Sequence, residues 1–182
     1  VYEVTGLPLV SGNRVEPLVN GDETFPAMLA AIEEAHHRVY MLTYIFETDR
    51  WGMRFVDALS RAQQRGVEVR VLVDALGDLY SWPNIGGQLR LEGVPVRRFM
   101  PLRKTLHFNL RNHRKLLIAD DAVAFTGGMN IRSAAVIGDN PEHPMYDTHF
   151  RVEGPVVRQL HDVFVEDWAF ASEEELAPEI GS

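Results

Sequence analysis

The chain has 182 residues, almost half of them apolar, with no cysteine and a formal charge of −8. That length suits one domain with a real core, and the composition excludes disorder, disulfides and thiolate metal sites. The acidic balance argues against a broad duplex-DNA surface, which runs on clustered Lys and Arg, and no apolar run is long enough to cross a bilayer. Placement in the cytoplasm or peripherally at a bacterial inner membrane is therefore expected. The chain opens on Val1 rather than Met and ends EIGS, which predicts a piece of a longer polypeptide.

Asp22 stands where it can cap a helix whose apolar positions Phe25, Met28, Leu29 and Ile32 follow helical spacing. RVYMLTYIF (Arg38 to Phe46) is apolar on both alternating faces, as in a strand covered by helices on both sides. A second helix, from about Gly52 to Arg65, turns Phe55, Leu59 and Ala62 inward and stops at Gly66, a natural left-handed cap. VEVRVLVD (Val67 to Asp74) is the next strand. A short helix around Gln88 to Leu91 ends at Gly93, and VPVRRF (Val94 to Phe99) is a third strand. This alternation predicts an α/β fold with a mixed, largely parallel central sheet and helices on both faces. Ligands in such folds gather beyond the carboxyl ends of the strands, so Glu47 and Asp74 fall either on a site rim or at solvated strand ends.

Between Glu92 and Asp120 there is no carboxylate, yet Arg97, Arg98, Arg103, Lys104, Arg111, Arg114 and Lys115 all lie there. One basic segment in an acidic protein is either a local anion site or a solvated loop. Two apolar runs then flank Asp120-Asp121, a turn-forming pair, and predict an antiparallel hairpin. Residues 131–145 read as a loop broken by Gly138, Asp139, Asn140, Pro141 and Pro144. YDTHFRVEG (Tyr146 to Gly154) alternates, with Asp147, His149 and Arg151 on one face. After Pro155 a last helix turns Val156, Leu160, Val163, Phe164 and Trp168 inward, and the remainder, from about residue 171, reads as a tail or linker.

The chemistry concentrates at RNHRKLLIADDAVAFTGGMN (Arg111 to Asn130). His113 and Lys115, two apart on an extended chain, leave the same face, while Arg114 leaves the other. Imidazole beside ammonium suits a bound phosphate: the lysine neutralises nonbridging oxygens, and the imidazole attacks phosphorus or exchanges a proton. Gly127-Gly128 ends the next strand, where the absence of a Cβ would let backbone amides approach an oxyanion, and Asn130 can donate from its side chain. The cationic side chains leave no need for a divalent metal, and no cofactor is expected. His107, His113, His143, Asp147 and His149 are all possible metal ligands, but their spacings match no common zinc pattern.

His113-x-Lys115, four residues, Asp120, six residues, Gly127-Gly128-x-Asn130 resembles the HKD motif of the phospholipase D superfamily. The common family form has serine at the position of Gly128, and the Gly-Gly version resembles the bacterial cardiolipin synthase branch. YIFETDRWG, RGVEVRVLVDALG, RNHRK and YDTHFRVEGPVV extend the likeness over approximately residues 12–168.

The resemblance implies a phospholipase D-like domain and double displacement at a phosphodiester. His113 would be either the nucleophile that becomes a phosphohistidine or the general acid for the leaving alcohol. Lys115, Asn130 and Gly128 would bind the phosphate, and Asp147 would orient the catalytic imidazole. The family counts Asp120 with the active residues, although its place at the far turn predicts a structural member. His149 either lines the same pocket or is simply packed, and His107 would touch phosphate or headgroup. Only one HKD motif is present, so a second half is expected from the same parent polypeptide or from a homodimer. The implied substrates are a phospholipid such as phosphatidylglycerol and an alcohol acceptor, with hydrolysis or a dimeric nuclease as alternatives. Nucleic acid is the less expected partner.

Overall fold

The apolar run at Arg38 becomes a strand buried along its whole length because helices cover it on both sides. The computed structural model describes residues 6–75, 77–79, 82–99, 113–172 and 174–176. Within them the strands are β1 (Arg14–Val19), β2 (Arg38–Thr43), β3 (Glu68–Asp74), β4 (Val96–Phe99), β5 (Leu116–Ala119), β6 (Val123–Gly127) and β7 (Thr148–Glu153). The α-helices are α1 (Asn20–Glu34), α2 (Arg50–Gln64), α3 (Ile85–Leu91) and α4 (Val156–Ser172). The strands form one sheet in the order β1-β7-β6-β5-β2-β3-β4.

The mixed α/β class holds, but the parallel share is smaller than the alternating pattern predicts. Among the described strands only β2–β3 and β3–β4 pair in parallel; β2–β5, β5–β6, β6–β7 and β7–β1 are antiparallel. The hairpin and its return through β7 account for most of the difference. The rest is β1, which the sequence pattern did not reveal. It is a largely exposed edge strand carrying Pro17, and an edge is where a sheet tolerates proline.

Side-chain alternation splits the core into two layers. Val39, Met41, Val71, Val73, Leu117 and Phe125 face α1, α2 and α3. Tyr40, Leu42, Leu72, Leu116 and Ile118 face α4, through Val157, Phe164 and Trp168. The helix boundaries have local causes. Asp49 caps α2 by accepting from the amides of Trp51 and Gly52, and the chain leaves that helix through Gly66 at φ 88°. Asn84 accepts from Gly87 N at the start of α3.

Asp22 is not a cap, because α1 begins earlier, at Asn20. Its carboxylate instead accepts from Ile137 N and Gly138 N, at 2.8 and 2.7 Å, tying α1 to the loop after β6. The start of the expected tail is also anchored: Glu174 pairs with Arg70 at 2.8 Å and accepts from Trp168 Nε1.

The three-residue β5–β6 turn places both Asp120 and Asp121 in the left-handed region, at φ 52° and 54°, and Ala122 N donates to Ala119 O across it. This turn lies at one pole of the sheet. At the other pole the pairing registers gather the carboxyl ends of β2, β3 and β6 with the amino ends of β5 and β7.

Candidate active site

His113 and Lys115 enter β5 at that second pole. Lys115 Nζ lies 3.1 Å from His113 Nδ1 and donates to the His113 carbonyl at 2.6 Å. Both side chains leave the α1 face of the sheet, whereas Arg114 turns to the α4 face and pairs with Asp167 at 2.7 Å. His113 is exposed, and Lys115 keeps only 4% of its surface. Burial holds the Lys115 ammonium below its ordinary pKa, and the Asp147 carboxylate partly offsets this.

Asn130 follows β6 by three residues. Its Oδ1 accepts from Ile45 N at 3.1 Å, which leaves the amide nitrogen as a donor. The segment around it is pinned to the β2–α2 loop. Glu47 N donates to Ile131 O, Ile131 N donates to Ile45 O, and the Glu47 carboxylate pairs with Arg132. Asp49 accepts from Ser133 N as well as capping α2, and Trp51 Nε1 donates to Asp139 at 2.7 Å. Glu47 is therefore a brace rather than a solvated strand end; burial raises its pKa and Arg132 opposes that rise. Asp74, at the end of β3, is only 2% exposed.

A Cβ on Gly128 would lie 2.6 and 2.7 Å from the Asp147 carboxylate oxygens, and one on Gly127 would lie 2.8 Å from His149 Nδ1. The space left by the missing side chains is filled by Asp147 and by the start of β7. A side chain is thereby excluded at both positions, while the Gly128 backbone itself is exposed.

Asp147 is itself held: its backbone N–H donates to Asn20 Oδ1, and its Oδ1 accepts from Thr148 N at 2.7 Å. Among the described residues no hydrogen bond joins Asp147 to His113, whose Nδ1 faces Lys115 instead. The Asp147 carboxylate acts electrostatically on Lys115 and His149. His149 is 2% exposed and its Nδ1 has no hydrogen-bond partner among the described residues. Burial pushes its pKa down to about 4; Asp147 opposes this and Lys115 adds to it. It is a packed, neutral imidazole behind the site rather than a rim residue.

Asp120 lies at the opposite pole, roughly 20 Å from His113 along the strand. Its carboxylate accepts from the backbone N–H groups of His36, His37 and Arg38, each at 2.8–2.9 Å. It fastens the hairpin to the start of β2 and reaches no reacting group. Next to it, Asp121 pairs with buried Arg38 at 3.4 Å. His107 lies outside the described residues, as do Arg103, Lys104 and Arg111. Among the described residues no cluster of three His, Asp or Glu side chains is placed to hold a metal, and no helix is long and apolar enough to cross a membrane.

Tyr44 went unnoticed in the sequence. Its ring centroid lies 4.6 Å from that of His113, and Lys115 Nζ stands 5.4 Å from the ring centre. The available signal was its place directly beyond the carboxyl end of a fully buried strand.

Residues 28–168 match the family model described as cardiolipin synthase, PLD-like domain. The chain is 35% identical over 178 residues to cardiolipin synthase 1 of Bacillus anthracis, covering 94% of this chain and 34% of that protein. Cardiolipin synthase A of Pseudomonas putida is 36% identical over 169 residues, covering 91% and 35%. The chain thus spans about a third of the length of these relatives. Among solved structures, the phospholipase D family member Nuc of Salmonella typhimurium superposes with a TM-score of 0.69 at 19% identity, covering 91% of this chain and all of that one. A phosphatidylserine synthase from Haemophilus influenzae gives 0.67 at 19% identity, covering 85% and 36%. With the fold shared and the family model matched over most of its length, this chain belongs to the PLD-like domain family of cardiolipin synthases.

Proposed function

We propose that the chain is one half of a phosphatidyltransferase site of the cardiolipin synthase kind. The observation that carries this is the convergence of His113, Lys115 and the donor end of Asn130 at one pole, from the segment entering β5 and the braced loop after β6. The names of the sequence relatives support the substrate class.

In the first displacement an imidazole nitrogen attacks the phosphorus of a phosphatidyl donor. A P–N bond forms, the P–O bond to the donor alcohol breaks, and the leaving oxygen takes a proton from a second histidine. In the second step an acceptor alcohol gives its proton to that histidine, its oxygen attacks phosphorus, and the P–N bond breaks. His113 supplies one of these two imidazoles; the other comes from a second HKD half, in the parent polypeptide or a second copy. Lys115 and the Asn130 amide take the nonbridging oxygens, whose charge grows in the transition state, so their hydrogen bonds strengthen there. Asp147 supports the charge on Lys115, and Asp120 contributes through the fold.

The test joins this chain to its second half, supplies labelled phosphatidylglycerol and quenches in denaturant. An acid-labile phosphohistidine and a lipid product, both lost in His113→Ala, are expected. Turnover that survives His113→Ala would remove the assignment. Release of phosphatidic acid alone would make the enzyme a hydrolase of the same chemistry, and cleavage of nucleic acid without lipid product would make it a nuclease.

A further inference from the structure

We infer that Tyr44 is the positioning residue for His113 and Lys115, its ring face setting where the imidazole and the ammonium stand. The inference rests on reading that pole as a phosphodiester-transfer site. His113 is exposed at the entrance to β5, where an imidazole with water on several sides would populate more than one rotamer. Among the described residues two side chains contact it: Lys115, at 3.1 Å, and Tyr44, at 4.6 Å between ring centroids with a 44° tilt. Lys115 Nζ is also within cation–π range of the Tyr44 ring, at 5.4 Å. One aromatic face therefore serves both members of the His-x-Lys pair.

Tyr44 is itself placed without slack. Its carbonyl packs so closely on Gly77 that a Cβ there would overlap it, which fixes the backbone just beyond β2. The next residue, Ile45, uses its N–H to hold the Asn130 side chain. Tyr44-Ile45 is thus a two-residue link between the β5 pair and the amide after β6. In-line displacement tolerates little error, since misplacing a reacting group by about 1 Å costs up to 100-fold in rate. The ring acts through His113 and Lys115 rather than on phosphorus.

The test has two arms. In the 182-residue chain, the carbon-bound ring protons of His113 lie beside the Tyr44 face and resonate upfield of an unstacked imidazole. Tyr44→Phe is expected to keep them there. Tyr44→Leu, and Tyr44→Met as a second non-aromatic variant, are expected to move them to the unstacked position while the His161 resonances at the other pole stay in place. In the assembled enzyme the non-aromatic variants are expected to lose about 100-fold in kcat with KM little changed, and Tyr44→Phe to recover most of the rate. His113 resonances that do not move in Leu or Met would overturn the inference, as would a Phe variant as damaged as Leu. The first arm is independent of the reaction, so an assembled enzyme that turns over no phosphodiester sinks the functional reading while the spectra still decide the role of Tyr44.

Discussion

The Asp147 carboxylate occupies the space that a side chain at Gly128 would fill, with its oxygens 2.6 and 2.7 Å from where a Cβ would sit. From there its charge acts on Lys115, whose pKa burial lowers and Asp147 partly restores. Lys115 has to be protonated to take a phosphate oxygen, so activity is expected to fall as pH rises through its pKa. Asp147→Asn removes the restoring charge and should move that alkaline limb to lower pH. Gly128→Ala should push the carboxylate aside and shift the limb in the same direction. The cost in stability should be small, because the displaced atoms are the end of a side chain. Rate–pH profiles of the assembled enzyme check both variants, and an unmoved alkaline limb in Asp147→Asn would count against the pairing.

His149 makes stability depend on pH. Its pKa falls from 6.5 to about 4 on folding, chiefly through burial. Between those values the unfolded chain binds a proton that the folded chain does not, so stability rises with pH. The margin is complete above pH 6.5 and is lost as pH falls toward 4, an effect of about 3 kcal/mol. Urea denaturation at intervals across this window should show the decline. In His149→Gln the contribution should disappear and the curve should flatten. An equally steep curve in that variant would place the acid sensitivity elsewhere.

The sequence pattern carried most of the fold because β2 and β3 are apolar on both faces, and because Gly66 and the Asp120-Asp121 pair mark real chain reversals. It overstated the parallel sheet mainly because β5, β6 and β7 all pair antiparallel, and in part because β1, a proline-bearing edge strand exposed at five of its six residues, went unread. At the site, the spacing of His113 and Lys115 sufficed to put them on one face. What the glycines and Asp147 do was not legible, since it depends on how closely β7 packs on β6, and that distance has no local sequence signature. The contribution of Tyr44 is likewise a contact between the residue after β2 and the segment entering β5, partners some seventy residues apart in the chain.

Asp120 tests the division between chemistry and support. Burial raises its pKa, but the three backbone N–H donors from His36, Arg38 and His37 bring it below the ordinary carboxylate value. The stability it contributes is therefore present above that ordinary value and lost as pH falls through the lowered one. Asp120→Ala removes all three acceptor contacts and puts alanine at a left-handed φ, with an expected loss of about 2–3 kcal/mol. Turnover per folded molecule should be unchanged when corrected for the folded fraction. A specific loss of kcat in fully folded Asp120→Ala would restore a catalytic role that the geometry denies it.

Asn130 separates holding the loop from holding the phosphate. In Asn130→Asp one carboxylate oxygen can still accept from Ile45 N, so the loop after β6 should keep its position. The outward amide, however, becomes a second acceptor with negative charge, facing the oxygens it is proposed to bind. Loss of one such donor typically costs about 100- to 1,000-fold in kcat, and repulsion adds to that loss. Asn130→Leu should lose comparable activity and also destabilise the loop, because Ile45 N is left without its acceptor. Thermal unfolding and kcat measured together distinguish the two variants: Asp inactive with near-native stability, Leu inactive and less stable. If Asp were instead as active as wild type, the outward amide would not be a phosphate donor.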